Sequence, residues 1–180
     1  DPGASTDYTL TVTNTGNIAD TYTMSSADGT FNQSSLDLAV GAFQDENGDS
    51  AEGAVYILFM LSNGSVNSSV KISDGLQGFN PSNLGSSDLF GSAVANIGDL
   101  DDDGVVDIAS GASGDGAMHI IFLKSDGTVK SDSRVTTGGG GPVAGIGDLD
   151  GDGVPDIVRG EPNSGADGLV KVLFMNSDGT

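Results

Sequence analysis

The chain has no cysteine and no tryptophan, and only six lysines and arginines stand against 26 aspartates and glutamates. Each shortage excludes something. Without cysteine there is no disulfide framework and no thiolate metal site, so redox chemistry does not choose the compartment. A formal net charge of −20 leaves no basic footprint for phosphates, which excludes nucleic acid as a partner and argues against an anionic membrane surface. No apolar run is long enough for a membrane span, and no signal peptide is visible. The chain begins at Asp1 without methionine, which reads as a processed or excised piece of a longer protein. Aromatic residues make up 6 % and apolar residues 36 % of the chain. Helix formers such as lysine, arginine and glutamate are sparse, and no long stretch has a period near 3.6.

What is present is glycine, 29 residues of 180, together with aspartate in a repeated pattern. Short strands joined by many tight turns suit that composition better than a helical core does. Two segments, Ile97–Ile108 and Ile146–Ile157, set aspartates at positions 1, 3, 5 and 9 of a short loop with glycine at position 6. Alternate carboxylates repel one another unless a hard cation sits among them, and calcium takes six to eight oxygen ligands. The glycine permits the sharp turn, and the carbonyl of position 7 can face an ion. Two calcium sites are therefore expected. Weak acidic loops fill at the millimolar calcium found outside cells, so an extracellular or cell-surface location follows. Two calcium ions would bring the formal charge only to about −16, which leaves a soluble, acidic surface.

Three further segments align with one another: Gly53–Ser65, Gly116–Thr128 and Gly168–Thr180. Each is a β-branched and aromatic run ending in Asn-Gly or Asp-Gly, the strongest short hairpin signal. The strand after the turn is expected near 66–72 and 129–136, and in the third copy the chain stops at the turn. Earlier strand pairs are expected at 93–97 with 107–111, and at 143–146 with 156–158, each joined by an aspartate loop. The first copy keeps Leu36–Ala42, but Ala27–Asn32 lacks the alternating carboxylates, so no matching calcium site is expected there. A repeated four-stranded antiparallel unit of about fifty to seventy residues reads as a propeller blade. Residues 8–16 alternate in period two and lead into 20–24, which predicts an N-terminal strand pair.

Around the loops, Phe90-Gly91 precedes the first and Gly111-Ala112-Ser113 follows it, while Gly41-Ala42-Phe43 and Gly160-Glu161-Pro162 are looser versions. In the third copy Gly139-Gly140 stands in place of Phe-Gly. With the aspartate loop, these residues resemble the FG-GAP repeats of integrin α-subunit propellers and their bacterial relatives, over roughly residues 31–180. That resemblance implies a hairpin calcium site on one face of a propeller, in extracellular adhesion proteins. It implies as ligands Asp99, Asp101, Asp103, the Val105 carbonyl and Asp107, then Asp148, Asp150, Asp152, the Val154 carbonyl and Asp156. Residues 5–24 resemble a fragment of the Ig-like modules of bacterial surface proteins. An EF-hand is excluded, because position 12 holds Ser110 or Arg159 in place of a bidentate acid and the flanks are not helical.

Other chemistry is poorly supported. His119, the only histidine, aligns with Tyr56 and Lys171 and reads as an outward, variable position. The aspartate pairs lie inside repeated metal loops, which favours a structural role over glycosidase acid and base. Gly138–Gly141 leads into Pro142 and a strand, so it lacks phosphate-loop geometry. Phe59, Phe122 and Phe174 recur once per unit and read as core between blades. The acidic stretch 45–49 with Glu52 reads as a solvated loop. Three N-x-S sequons, at Asn32, Asn63 and Asn67, permit glycosylation.

The expected architecture is all-β: a strand-pair segment over 1–30, then about three FG-GAP-like blades over 31–80, 85–137 and 138–180, the last truncated. The expected function is a calcium-stabilised extracellular structural or adhesion module, one form of which is a self-assembling surface fibre subunit. The alternative is a glycan- or protein-binding module appended to a secreted enzyme. No enzymatic activity is expected of the chain itself. Three blades leave an apolar face and open strand edges, so self-association is expected, including strand complementation.

Overall fold

A computed structural model describes residues 36–46, 51–61, 63–81, 84–136, 141–161 and 167–180. Among them are ten strands and no helix: β1 (Leu36–Ala42), β2 (Ala54–Met60), β3 (Val66–Ile72), β4 (Phe90–Gly98), β5 (Asp107–Ala112), β6 (Ala117–Leu123), β7 (Val129–Val135), β8 (Val143–Gly147), β9 (Asp156–Glu161) and β10 (Leu169–Leu173). They form three antiparallel sheets, β1-β2-β3, β4-β5-β6-β7 and β8-β9-β10. Each sheet is a meander of consecutive hairpins, and together they make an open, partial propeller. The middle sheet has all four strands of the repeat. In the first sheet β1 corresponds to β5, and in the third β10 corresponds to β6. The N-terminal strand pair, the Ig-like fragment and the degenerate first loop fall outside the described residues. Gly138–Gly140 do as well.

Local chemistry fixes the hairpins. The turn after β6 is closed by Gly127 N–H donating to the Lys124 carbonyl (2.8 Å) and Lys124 N–H to the Thr128 carbonyl (2.8 Å). The Asp126 carboxylate accepts from both the backbone N–H and the hydroxyl of Thr128. Asn63 with Ser65, and Asp178 with Thr180, repeat this arrangement. Such side-chain bonds to the backbone two residues on are what make Asn and Asp turn residues. The third turn is thus formed although no strand follows it within the chain.

Packing between sheets gives the strands their character. Every residue of β5 and β6 is buried, because the middle sheet is covered on both faces. Its inner strands therefore read as continuous apolar and small runs, as in any sheet buried on two sides. The outer strands β3 and β7 carry serine, lysine and aspartate, which blunts them as pairing edges. One core lies between the first and second sheets, where Val55 and Ile57 meet Val94, Ile108, Ile121 and Leu123. A second lies between the second and third sheets, where Met118, Ile120 and Phe122 meet Ile157 and Met175.

Two expectations are corrected. His119 is not outward: it is fully buried and meets Phe79 and Phe90 edge-on at 5.7 and 5.8 Å. Its row faces the first sheet, as the same row in β10, with Leu173, faces the second, and Phe79 and Phe90 seal it there. Phe174 is not core, being 57 % exposed where Phe122 is 4 %.

The sheets also approach closely through backbone. A methyl group at Gly41 would collide with the Gly91 carbonyl, and one at Gly145 with the Asn96 carbonyl. Gly145→Ala should therefore pry β8 from β4 and cost about 1–3 kcal/mol, the usual penalty of overpacking. Gly160→Ala in β9, whose added methyl would meet only Pro142 at 3.4 Å, should be close to neutral. Urea melts of the two variants beside the parent check this.

Candidate metal centre

The two aspartate loops occupy the same place in neighbouring sheets, between β4 and β5 and between β8 and β9. Each begins at a bulge, where the register slips between Asn96 and Gly98 and between Gly145 and Gly147. Gly104 and Gly153, at position 6, have φ of +87° and +93°, so the glycine expected for the sharp turn is needed on conformational grounds. Val105 packs against the first core and Val154 against the second. A hydrophobic anchor at position 7 therefore pins each loop to the seam between two sheets. Pro155, at the foot of the second loop, approaches to 3.1 Å of where a Gly98 side chain would start. The loops are neighbours at one end of the sheets.

Within each loop the carboxylates are tied to backbone N–H groups. Asp99 accepts from Asp103 N–H (3.0 Å) and Gly104 N–H (2.7 Å). Asp148 accepts from Gly151 N–H (2.6 Å) and Gly153 N–H (2.9 Å). Asp103 and Asp152 each accept from the N–H two residues on, Val105 and Val154. A carboxylate has about four lone-pair sites, so these bonds orient the oxygens and leave capacity for a cation. Oxygens of Asp99, Asp101 and Asp107 lie within 4.8 Å of one another, as do oxygens of Asp148, Asp150 and Asp152.

Position 9 does something the spacing did not foretell. Asp107 is fully buried, with one oxygen accepting from Leu100 N–H (2.9 Å) and the other from Leu123 N–H (3.0 Å). Asp156 does the same with Leu149 N–H (2.8 Å) and Met175 N–H (3.0 Å). Each clips its loop to the far end of the third strand of its sheet. Burial pushes the Asp107 carboxyl up to about 6, against the opposing pull of the Leu123 and Leu100 N–H donors. Asp37 holds the equivalent register in β1, opposite Phe59.

Lys130 was also missed. From β7 its ammonium reaches Asp101 (2.8 Å) and Asp103 (2.5 Å), which holds the Asp103 carboxyl below its usual range, with help from the Val105 N–H. Lys130 lies 27 residues beyond Asp103, so no local spacing rule could find it. Among the described residues no lysine or arginine is paired with Asp148, Asp150 or Asp152.

The donor set fits a hard cation. It is all oxygen, it is clustered, and Asp101 Oδ1 is shielded from solvent without a hydrogen-bond partner. The acidic stretch of the first repeat is different. Its Asp45 is engaged by Lys71 and by the Tyr56 hydroxyl.

The family model for an FG-GAP-like repeat matches residues 99–159. The match begins at the first aspartate of one loop and runs past the last aspartate of the other. It does not extend to the N-terminal segment. Among curated proteins no match is found.

Asp107→Ala would leave two buried N–H groups without acceptors, each costing about 1–3 kcal/mol. It should lower stability even in excess chelator. Asp103→Ala, which removes an exposed carboxylate, should leave melting in chelator nearly unchanged. Thermal melts of both variants with EDTA separate the clip from the metal ligand.

Proposed function

We propose that this chain is a calcium-stabilised structural module of an extracellular adhesion-type protein, with Asp99, Asp101, Asp103, the Val105 carbonyl and Asp107 around one ion and Asp148, Asp150, Asp152, the Val154 carbonyl and Asp156 around the other. The carrying observation is the pair of equivalent loops whose carboxylate oxygens converge while their backbone bonds keep them oriented. FG-GAP repeats are found in extracellular adhesion-type proteins and are typically non-catalytic structural modules. No helix among the described residues is long and apolar enough to cross a membrane.

Calcium would cancel the mutual repulsion of three or four carboxylates at the base of a hairpin. It would thereby hold β4 to β5 and β8 to β9 at the end where the bulges interrupt the ladder. A structural role suits how firmly the oxygens are already tied to their own loops. The reading does not need His119, which has no access to solvent and whose pKa is lowered by burial.

Chelation should lower the melting temperature, and calcium should restore it. At ten times the dissociation constant each site adds about 1.4 kcal/mol by mass action. Asp152→Ala should reduce the calcium bound per chain by one equivalent in equilibrium dialysis. Melting that is identical in EDTA and in millimolar calcium at low salt would sink the proposal.

The two sites should also differ. The Lys130 ammonium competes with calcium for Asp101 and Asp103, while the second loop has no such rival among the described residues. Lys130→Met should tighten the first site about tenfold at low ionic strength, an effect salt should screen. Titration calorimetry on Lys130→Met in an Asp152→Ala background reads the first site alone.

A further inference from the structure

The two sheet-to-sheet contacts within the chain are copies of one another, and each has a donor and a receiver. On the receiving side is a row of three side chains on one face of the third strand of the repeat: Val55, Ile57 and Phe59 in the first sheet, Met118, Ile120 and Phe122 in the second. On the donating side is the turn of the following sheet. Gly127 seats on Phe59, where an added Cβ would lie 2.9 Å from the ring, and Gly179 seats on Phe122 at 3.1 Å. Val129, just beyond the turn, completes the donor in the first of these contacts and is 2 % exposed.

Among the described residues, the first and third sheets each carry one unmatched half of this contact. In the third sheet the receiving row is Val170, Val172 and Phe174, exposed by 75, 42 and 57 %. In the first sheet the donor is the Asn63–Gly64 turn with Val66. A Cβ at Gly64 would meet nothing within 4 Å, and Val66 is 47 % exposed where its equivalent Val129 is sealed. The two halves sit on opposite terminal sheets, and each is equivalent in the repeat to a half that is joined within the chain.

We propose that the Val170–Val172–Phe174 face receives the Asn63–Gly64 turn of a second copy of this chain, in a head-to-tail contact that repeats the one between β6 and the Asp178–Gly179 turn. Two copies would bring six described sheets together, within the four to eight of closed propellers. Such a contact is heterologous, so it closes into a ring or continues as a filament. The high negative charge opposes it at low salt and is screened at physiological ionic strength. The contact goes beyond the calcium reading and does not depend on it, because neither half contains a loop aspartate.

Sedimentation equilibrium at physiological salt, in calcium and separately in EDTA, tests the proposal on the 180-residue chain. The expected mass is twice 17.9 kDa, and a series of larger multiples would support the same contact without closure. Val170→Glu and Val66→Glu, both at exposed positions, should each give a folded monomer by circular dichroism. An equimolar mixture of the two should recover a dimer, since one intact donor meets one intact receiver. A parent chain that stays monomeric in both buffers overturns the proposal. So does association that survives either substitution, or a mixture that stays monomeric. Loss of calcium binding with the dimer intact would count against the metal reading alone.

Discussion

A sheet of three or four short strands with apolar side chains on both faces cannot stand alone in water, and this constraint orders the rest of the molecule. The middle sheet meets it fully, with one core on each side. Among the described residues each of its neighbours shares a core with it on one side. From this follow the small residues where backbones nearly touch, at Gly41, Gly91 and Gly145, and the repetition of Val/Met, Ile/Val and Phe along the third strand of the repeat. It also explains why equivalent positions differ so much in exposure. Phe122 and Phe174 are the same residue at equivalent places in the repeat, but Phe122 lies in β6 beside β7 and under the third sheet, whereas Phe174 lies just beyond β10 with no fourth strand and no further described sheet against it.

The aspartate loops belong to the same scheme. Position 7 is pinned in the seam between sheets, and position 9 reaches across its own sheet to the end of the third strand. The remaining carboxylates are held apart by backbone N–H bonds. Repulsion is therefore managed at three levels: by hydrogen bonds, by the Lys130 ammonium in one loop, and by the cation proposed for both. The two loops look alike in composition but differ in electrostatic surroundings, and that difference comes from a strand outside the loop.

Most of the architecture was legible in the sequence because the repeat aligns three times. The Asp-Gly and Asn-Gly turns, the β-branched runs and the aspartate spacing each have a local cause, so strand order and loop placement followed from them. Side-chain environment was not legible in the same way. His119 aligns with a lysine and a tyrosine, yet lies buried, because Phe79 and Phe90, from the segment that leads into β4, pack edge-on against it. Lys130 could not be tied to Asp101 and Asp103 without knowing that β7 ends beside the loop. The dual use of Asp107 was hidden for another reason: a metal-ligand pattern and a backbone clip call for the same residue type.

The uniform burial of β6 has a consequence during synthesis and refolding. Ala117–Leu123 is a seven-residue run of high β-propensity with no charged side chain. Before its neighbours arrive, such a run is a template for pairing with other unfolded chains. The residues that bound it oppose this. Asp115 stands before it and Lys124 after it, flanking charges of the kind that keep an unavoidable hydrophobic strand from stacking with its own kind. In the native state Asp115 is held by Arg134 (2.5 Å), so the gatekeeper at that end becomes part of the sheet once β7 has docked.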